Sequence, residues 1–256
     1  MSALAGTGVL LGRQYRLLAR QPVWIAIMLV QPVVWLVLYS QLFRSLPGLG
    51  LGTTSYVEFL TPGVAIMSAF SHGSWEGAQT MRELEHGVFT RFLTTPLDAA
   101  CLVLARIGQA ALTGLLQAAA ILVLALPLGA RIHGGAAGWA AILVAAALVA
   151  ASFAGIADTI ALLVRREETV IALAQFAVLP LTFLSATLIS ESLMPPWMRL
   201  LAGANPVNWA VTAAREATLP HTDWSTVATR LGLLLLAAAM TLTMALAALR
   251  NYRASL

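Results

Sequence analysis

Few of the 256 residues carry side chains able to do chemistry, and those few are grouped. His72 and Glu76 stand four apart, so a helix places the imidazole and the carboxylate on one face within reach of each other. Glu58, Pro62, Ser68, Ser71 and Ser74 share their stretch, and Asp158 is a further carboxylate inside a long apolar run. Ionisable groups are costly in an apolar medium and turn towards protein or water. Two readings stand side by side: a path or relay for protons or a polar substrate, or groups that satisfy one another locally. A third set lies in Met81–Leu97, with Arg82, Glu83, Glu85, His86 and Arg91. There Leu84, Val88, Phe89, Phe92 and Leu93 recur at three- and four-residue steps, the pattern of a short amphipathic helix ended by Pro96. Such a helix between apolar runs lies at a surface, where a soluble partner can grip it.

The missing residues narrow the chemistry further. All fifteen basic residues are arginine, so the lysine of a phosphate-binding P-loop is absent. No H-E-x-x-H metal motif and no G-x-S-x-G nucleophile turn occurs. The lone Cys101 excludes an intramolecular disulfide and a cysteine metal cluster, and the four histidines lack ligand spacing. The chain is therefore expected to be no enzyme and to hold neither metal nor cofactor. Any driven work takes its energy from a partner or an ion gradient.

The elements that position these groups are membrane helices. With 59% hydrophobic and 10% charged residues, against about a quarter charged in soluble domains, the chain cannot clothe itself in water. The expected fold is all-α and integral to a membrane, with six spans near 23–43, 56–79, 99–128, 139–164, 169–189 and 226–249. Residues 1–22 form a separate interfacial helix, with Arg13, Arg16 and Arg20 on one side and Leu10, Leu11, Leu17 and Leu18 on another. Gln31-Pro32 falls in mid-span and is expected to kink it. Between the last two spans, Glu191–Trp224 is too apolar for a loop and too broken by Pro195, Pro196, Gly203 and Pro206 for a span. Trp197, Trp209 and Trp224 suit the interface, so short helices dipping into the outer leaflet are expected. Placing both termini in the cytoplasm leaves ten arginines at the inner side, Arg106 among them, and five outside: Arg44, Arg131, Arg199, Arg215 and Arg230. That bias satisfies the positive-inside rule. The charge is scattered in small clusters, which favours anionic lipid over nucleic acid. The all-arginine usage points to a high-GC bacterial genome.

Two motif regions resemble the six-span permease subunits of ABC-2-type exporters. One is R-E-x-E-x-G-x-x-x-R-x-L-x-T-P-L: Arg82, Glu83, Glu85, Gly87, Arg91, Leu93, Thr95, Pro96 and Leu97. The other runs through Pro180, Leu181, Phe183, Leu184 and Ser185, then Leu193, Pro195 and Trp197, then Asn205, Pro206 and Arg215. Where relatives often carry Ser-Gly and then Phe-Pro, this chain has Ser185-Ala186 and Ile189-Ser190.

The resemblance implies a type V ABC exporter-like fold and a daunorubicin-resistance-like branch. It makes the first motif, with Phe89, the cytoplasmic helix that docks on an ATPase. It makes the second an extracellular gate of re-entrant helices with Ser185, Pro195, Trp197, Asn205, Pro206 and Arg215. The implied partners are an ATPase subunit that binds ATP and Mg, a second permease copy or a paralogue, membrane lipids and an amphipathic substrate, with no nucleic acid. The implied place is the bacterial cytoplasmic membrane, and the implied work is export of drugs, lipids or glycolipids. Gln31, Ser68, His72, Glu76 and Asp158 are the candidates for the path lining. The alternative is an ion-coupled transporter with His72, Glu76 and Asp158 as its relay. A lipid-modifying enzyme with His72 or His86 as base lacks a nucleophile or metal to complete it.

Overall fold

A computed structural model describes residues 22–42, 56–86 and 100–254. Among them every regular element is helical. The helices are α1 (Pro22–Leu42), α2 (Tyr56–Glu85), α3 (Ala100–Ala125), α4 (Gly135–Val164), α5 (Glu167–Phe183), α6 (Pro196–Ala204), α7 (Pro206–Glu216) and α8 (Trp224–Ala254). Among the described residues, three segments are long and apolar enough to cross a membrane: Ala100–Leu128, Gly135–Val164 and Trp224–Ala254. All of the proposed interfacial helix but Pro22, and most of the Met81–Leu97 segment, lie outside the described residues.

Burial runs against polarity. The helix with the most polar groups, α2, is the central one: Glu58, Thr61, Ser68, Ser74, Glu76 and Thr80 are buried beside Phe59, Leu60, Val64, Ile66 and Phe70. The more apolar α5 buries only Val170 and Thr182, and leaves Phe176, Leu179 and Phe183 exposed. Both follow from one rule: lipid accepts the apolar helix and rejects the polar one, which must be wrapped by its neighbours.

Helix α2 packs most closely on α4, and small residues set that approach. A Cβ at Gly77 would lie 2.6 Å from the Ala157 carbonyl oxygen, and one at Gly73 would collide with that of Ala150. The two backbones thus meet along a notch four residues long. Beyond it, Phe70 and Phe153 pack edge to face, 4.4 Å between centroids. At the start of α8, Asp223 accepts hydrogen bonds from the Thr226 hydroxyl (2.6 Å) and the Ser225 N–H (3.0 Å), a cap for the helix. Those bonds hold its carboxyl below the ordinary carboxylate range.

Two boundaries differ from the sequence-based reading. Helix α2 does not break before Met81 but runs on to Glu85, so Arg82, Glu83 and Glu85 form its last turn instead of opening a separate helix. No glycine or proline stands between Gln79 and Glu85 to stop it. The helix expected over 169–189 ends at Phe183, and the chain then turns through 184–187. Pro180 lacks the N–H that would continue the ladder, and side chains of α7 take over the backbone beyond it.

Candidate functional site

Along α2, His72, Glu76, Thr80 and Glu83 recur at steps of four, four and three, which makes one stripe. At the Glu85 end this stripe faces Arg106 of α3 and Asp158 of α4. Arg106 is only 2% exposed, and its guanidinium reaches three carboxylates. Nη1 donates to Glu83 Oε2 (2.6 Å). Nη2 donates to the Glu76 carbonyl (3.0 Å) and more weakly to Glu76 Oε2 (3.5 Å). Nε lies 3.6 Å from Asp158 Oδ1, an ion-pair distance without hydrogen-bond geometry. Asp158 also accepts a hydrogen bond from the Thr80 hydroxyl. A planar fork of five N–H donors suits such a multiple role, which lysine cannot fill.

His72 Nε2 lies 3.3 Å from Glu76 Oε1, close but not aligned for a hydrogen bond. The cluster thus sets one guanidinium among three carboxylates, a formal surplus of two negative charges when all are ionised. On the exposed side of the helix end, Arg82 Nε donates to Glu167 Oε1 of α5 (2.9 Å). His86 Nδ1 lies 2.6 Å from the Arg82 carbonyl oxygen.

A cavity of about 400 Å³ opens beside the cluster between α1, α2 and α3. Of the five path candidates, Gln31, Ser68, His72 and Glu76 line it, with Gln117 of α3 opposite. Asp158 does not; it sits beyond Arg106, 1% exposed. Of the proposed coupling residues, Arg82 and Glu85 are exposed and Glu83 leans into the cluster. Gly87, Phe89, Arg91, Leu93, Thr95 and Pro96 fall outside the described residues.

The proposed gate residues gather at the opposite end of α2. Asn205 caps α7 by accepting from the Val207 N–H (3.0 Å), and its amide donates to the carbonyls of Leu181 (2.8 Å) and Leu184 (3.0 Å). Pro206 opens that helix and Pro195 precedes α6. Arg215 lies 3.7 Å over the Phe59 ring and donates to the Ala186 carbonyl (2.7 Å), with longer bonds to those of Thr187 and Phe59 (3.4 Å each). Ser185 is buried and bonds the Thr182 carbonyl (2.7 Å) and the Thr187 hydroxyl (2.6 Å). Asn208 Oδ1 accepts from the Ala186 N–H (2.8 Å), and its amide donates to Glu191 (2.6 Å). Trp197 is exposed and takes no part.

Sequence reasoning missed Arg106, Thr80, Asn208 and Glu191. Arg106 is counted with the other inner-side arginines in the sequence, and the structure shows that it is buried among the helices. A signal was there: an arginine seven residues into an apolar run needs a buried acid nearby.

Comparison with known proteins identifies the family of the chain. The profile of the ABC-2 type transporter family matches residues 6–219. The chain is similar to the daunorubicin resistance ABC transporter permease protein DrrB1 of Streptomyces coeruleorubidus, 27% identical over 76% of this chain and 68% of that one. It is 28% identical to a putative transport permease, ycf38, of Porphyra purpurea, over 80% of this chain and 71% of that one. It is 26% identical to the inner membrane transport permease YadH of Escherichia coli K12, over 78% and 79%. With the profile covering most of its length, this multi-pass membrane chain belongs to the ABC-2 type transporter family, whose permeases are transport subunits that work with an ABC ATPase.

Proposed function

We propose that this chain is the permease subunit of an ATP-driven exporter that moves an amphipathic drug, lipid or glycolipid out of a bacterial cytoplasm. In this reading α1 to α5 and α8 are six spans, both termini are cytoplasmic, and residues 191–224 lie at the outer side. A second permease, identical or related, completes the path. ATP and Mg are held by the separate ATPase, which grips residues 82–97. That one relative is named for daunorubicin resistance supports an amphipathic cargo.

The observation that carries the reading is where α2 ends. Its last turn leads into residues 87–97, and that turn is tied through Glu83 and Arg106 to α3 and through Asp158 to α4. A push on the segment is therefore transmitted to three helices together. Glu85 and His86 at the same end are exposed and open to a partner surface.

Gentle purification from the native membrane tests this directly. A P-loop ATPase should accompany the chain in stoichiometric amount and be lost when Glu85→Ala and Arg91→Ala are combined; a chain that purifies alone would overturn the reading. One observation favours a second reading. His72, Glu76, Arg106 and Asp158 form a continuous run of ionisable groups from the cavity into the bundle. Transport that persists without ATP and collapses with a protonophore would select an ion-coupled carrier.

A further inference from the structure

We infer that one acyl chain of a bilayer phospholipid seats as a fixed wedge in a second cavity, between α2, α4 and α5, as part of the protein's packing and not as cargo. The inference rests on the proposed reading of α5 as a span, and not on what the chain transports.

The cavity measures about 180 Å³, and its walls include Ser74 of α2, Phe153 and Ile160 of α4, and Leu173, Ala177 and Leu181 of α5. Ser74 is the one wall residue with a polar side chain, and its hydroxyl donates to the Phe70 carbonyl of its own helix (3.0 Å). No polar group is left over to hold water, so the space suits an apolar guest. At about 30 Å³ for a group the size of a water or a methylene, it takes a stretch of about six.

The gap cannot close by α5 leaning in. Near its start, Val170 already packs on α2: a Cβ at Gly77 would lie 2.9 Å from Val170 Cγ1. Past its end, Asn205 and Asn208 hold the backbone of Leu184 and Ala186. Between these fastenings α5 lines the cavity with Ala174 and Ala177, side chains too short to fill it. An unfilled void costs its walls their contacts. What stands alongside a span is hydrocarbon. On the outer face of α5, Phe176 and Leu179 are 77% and 62% exposed, and the half-exposed wall residue Leu173 joins that face to the cavity. The α5 wall runs from Val170 to Leu181. That is about 17 Å along the axis, close to half of a hydrocarbon core about 30 Å thick. A chain from one leaflet has that reach.

The test uses the purified full chain in nanodiscs containing a phosphatidylcholine with a diazirine midway along one acyl chain. After illumination, adducts are mapped by mass spectrometry. Ser74 and Ala157 line the cavity but are buried, out of reach of lipid that stays at the surface. Both should carry adducts, as should the exposed Phe176 and Leu179. Ala177→Phe fills the cavity and should reduce labelling of Ser74 and Ala157 to background while sparing Phe176. Adducts confined to Phe176 and Leu179 would overturn the wedge and leave α5 a span; no adduct anywhere on α5 would remove the span reading with it. Undiminished labelling of Ser74 in Ala177→Phe would also overturn the wedge, because the label then arrives by another route. If Ser74 stays unlabelled while Leu173→Cys, combined with Cys101→Ser, gives a disulfide-linked dimer, the occupant is a second copy of this chain and the inference falls. Should Ala177→Phe fail to fold, the wild-type adduct map still decides.

Discussion

Arg106 and Arg215 sit at opposite ends of α2, and the protein settles their charges differently. Arg106 meets three carboxylates on two helices, at 2.6, 3.5 and 3.6 Å. Arg215 meets carbonyl oxygens of a turn and of α2, with the Phe59 ring beneath it. In the first case the charge itself is answered, so the partners cannot spare it. In the second the guanidinium answers backbone groups that Pro180 and the following turns leave outside a helix, so its donors matter as much as its charge. The end of α2 that leads towards residues 87–97 is thus fastened by ion pairs between whole helices. The other end is fastened by hydrogen bonds from a short helix to an irregular turn. Ion pairs link rigid elements and transmit a push; a carbonyl clasp can be released without stranding an ionised carboxylate.

Breaking the two fastenings should expose that difference. Arg106→Leu leaves Glu76 and Asp158 buried without a counter-charge, and it should cost about 3–5 kcal/mol. The effect is readable as a large fall in the temperature at which the buried Cys101 thiol becomes reactive towards a maleimide in detergent-solubilised protein. Arg215→Leu orphans carbonyls and loses the ring contact, at about 1–3 kcal/mol. The same assay should show a smaller fall, and equal costs at both ends would dissolve the distinction. Arg82→Ala removes an exposed pair with Glu167 and should change stability by less than about 1 kcal/mol. A normal unfolding temperature with loss of the co-purifying ATPase would then place the role of Arg82 in partner contact.

Much of the fold was legible from composition and period. As helix bounds, the start of α2 at Tyr56 and the ends of α3 and α4 fall within a few residues of the sequence-based ones. The end of α2 was read wrongly because charge was taken as a boundary. A helix stops for lack of hydrogen bonds or for a breaker, and Met81–Glu85 has neither. The 184–189 stretch looked like helix because it is apolar, whereas its backbone at Leu184 and Ala186 is paired with Asn205, Asn208 and Arg215 from a later part of the chain. In the site, the pairing of His72 with Glu76 was visible as a four-residue step, but the partner of Asp158 was not.

The amino-acid sequence alone determined that this chain lives in a membrane as helices, because its charge is too scarce for water and its apolar runs are too long for anything else. It also determined which residues share a stripe, since 3.6 residues per turn fixes each helix's own faces. Which stripe faces which was decided only by tertiary packing. The notch at Gly73 and Gly77 lets α4 approach α2 until Asp158 reaches Thr80 and Arg106. That meeting joins residues 78 apart in the chain, and only packing brings such distant positions into register.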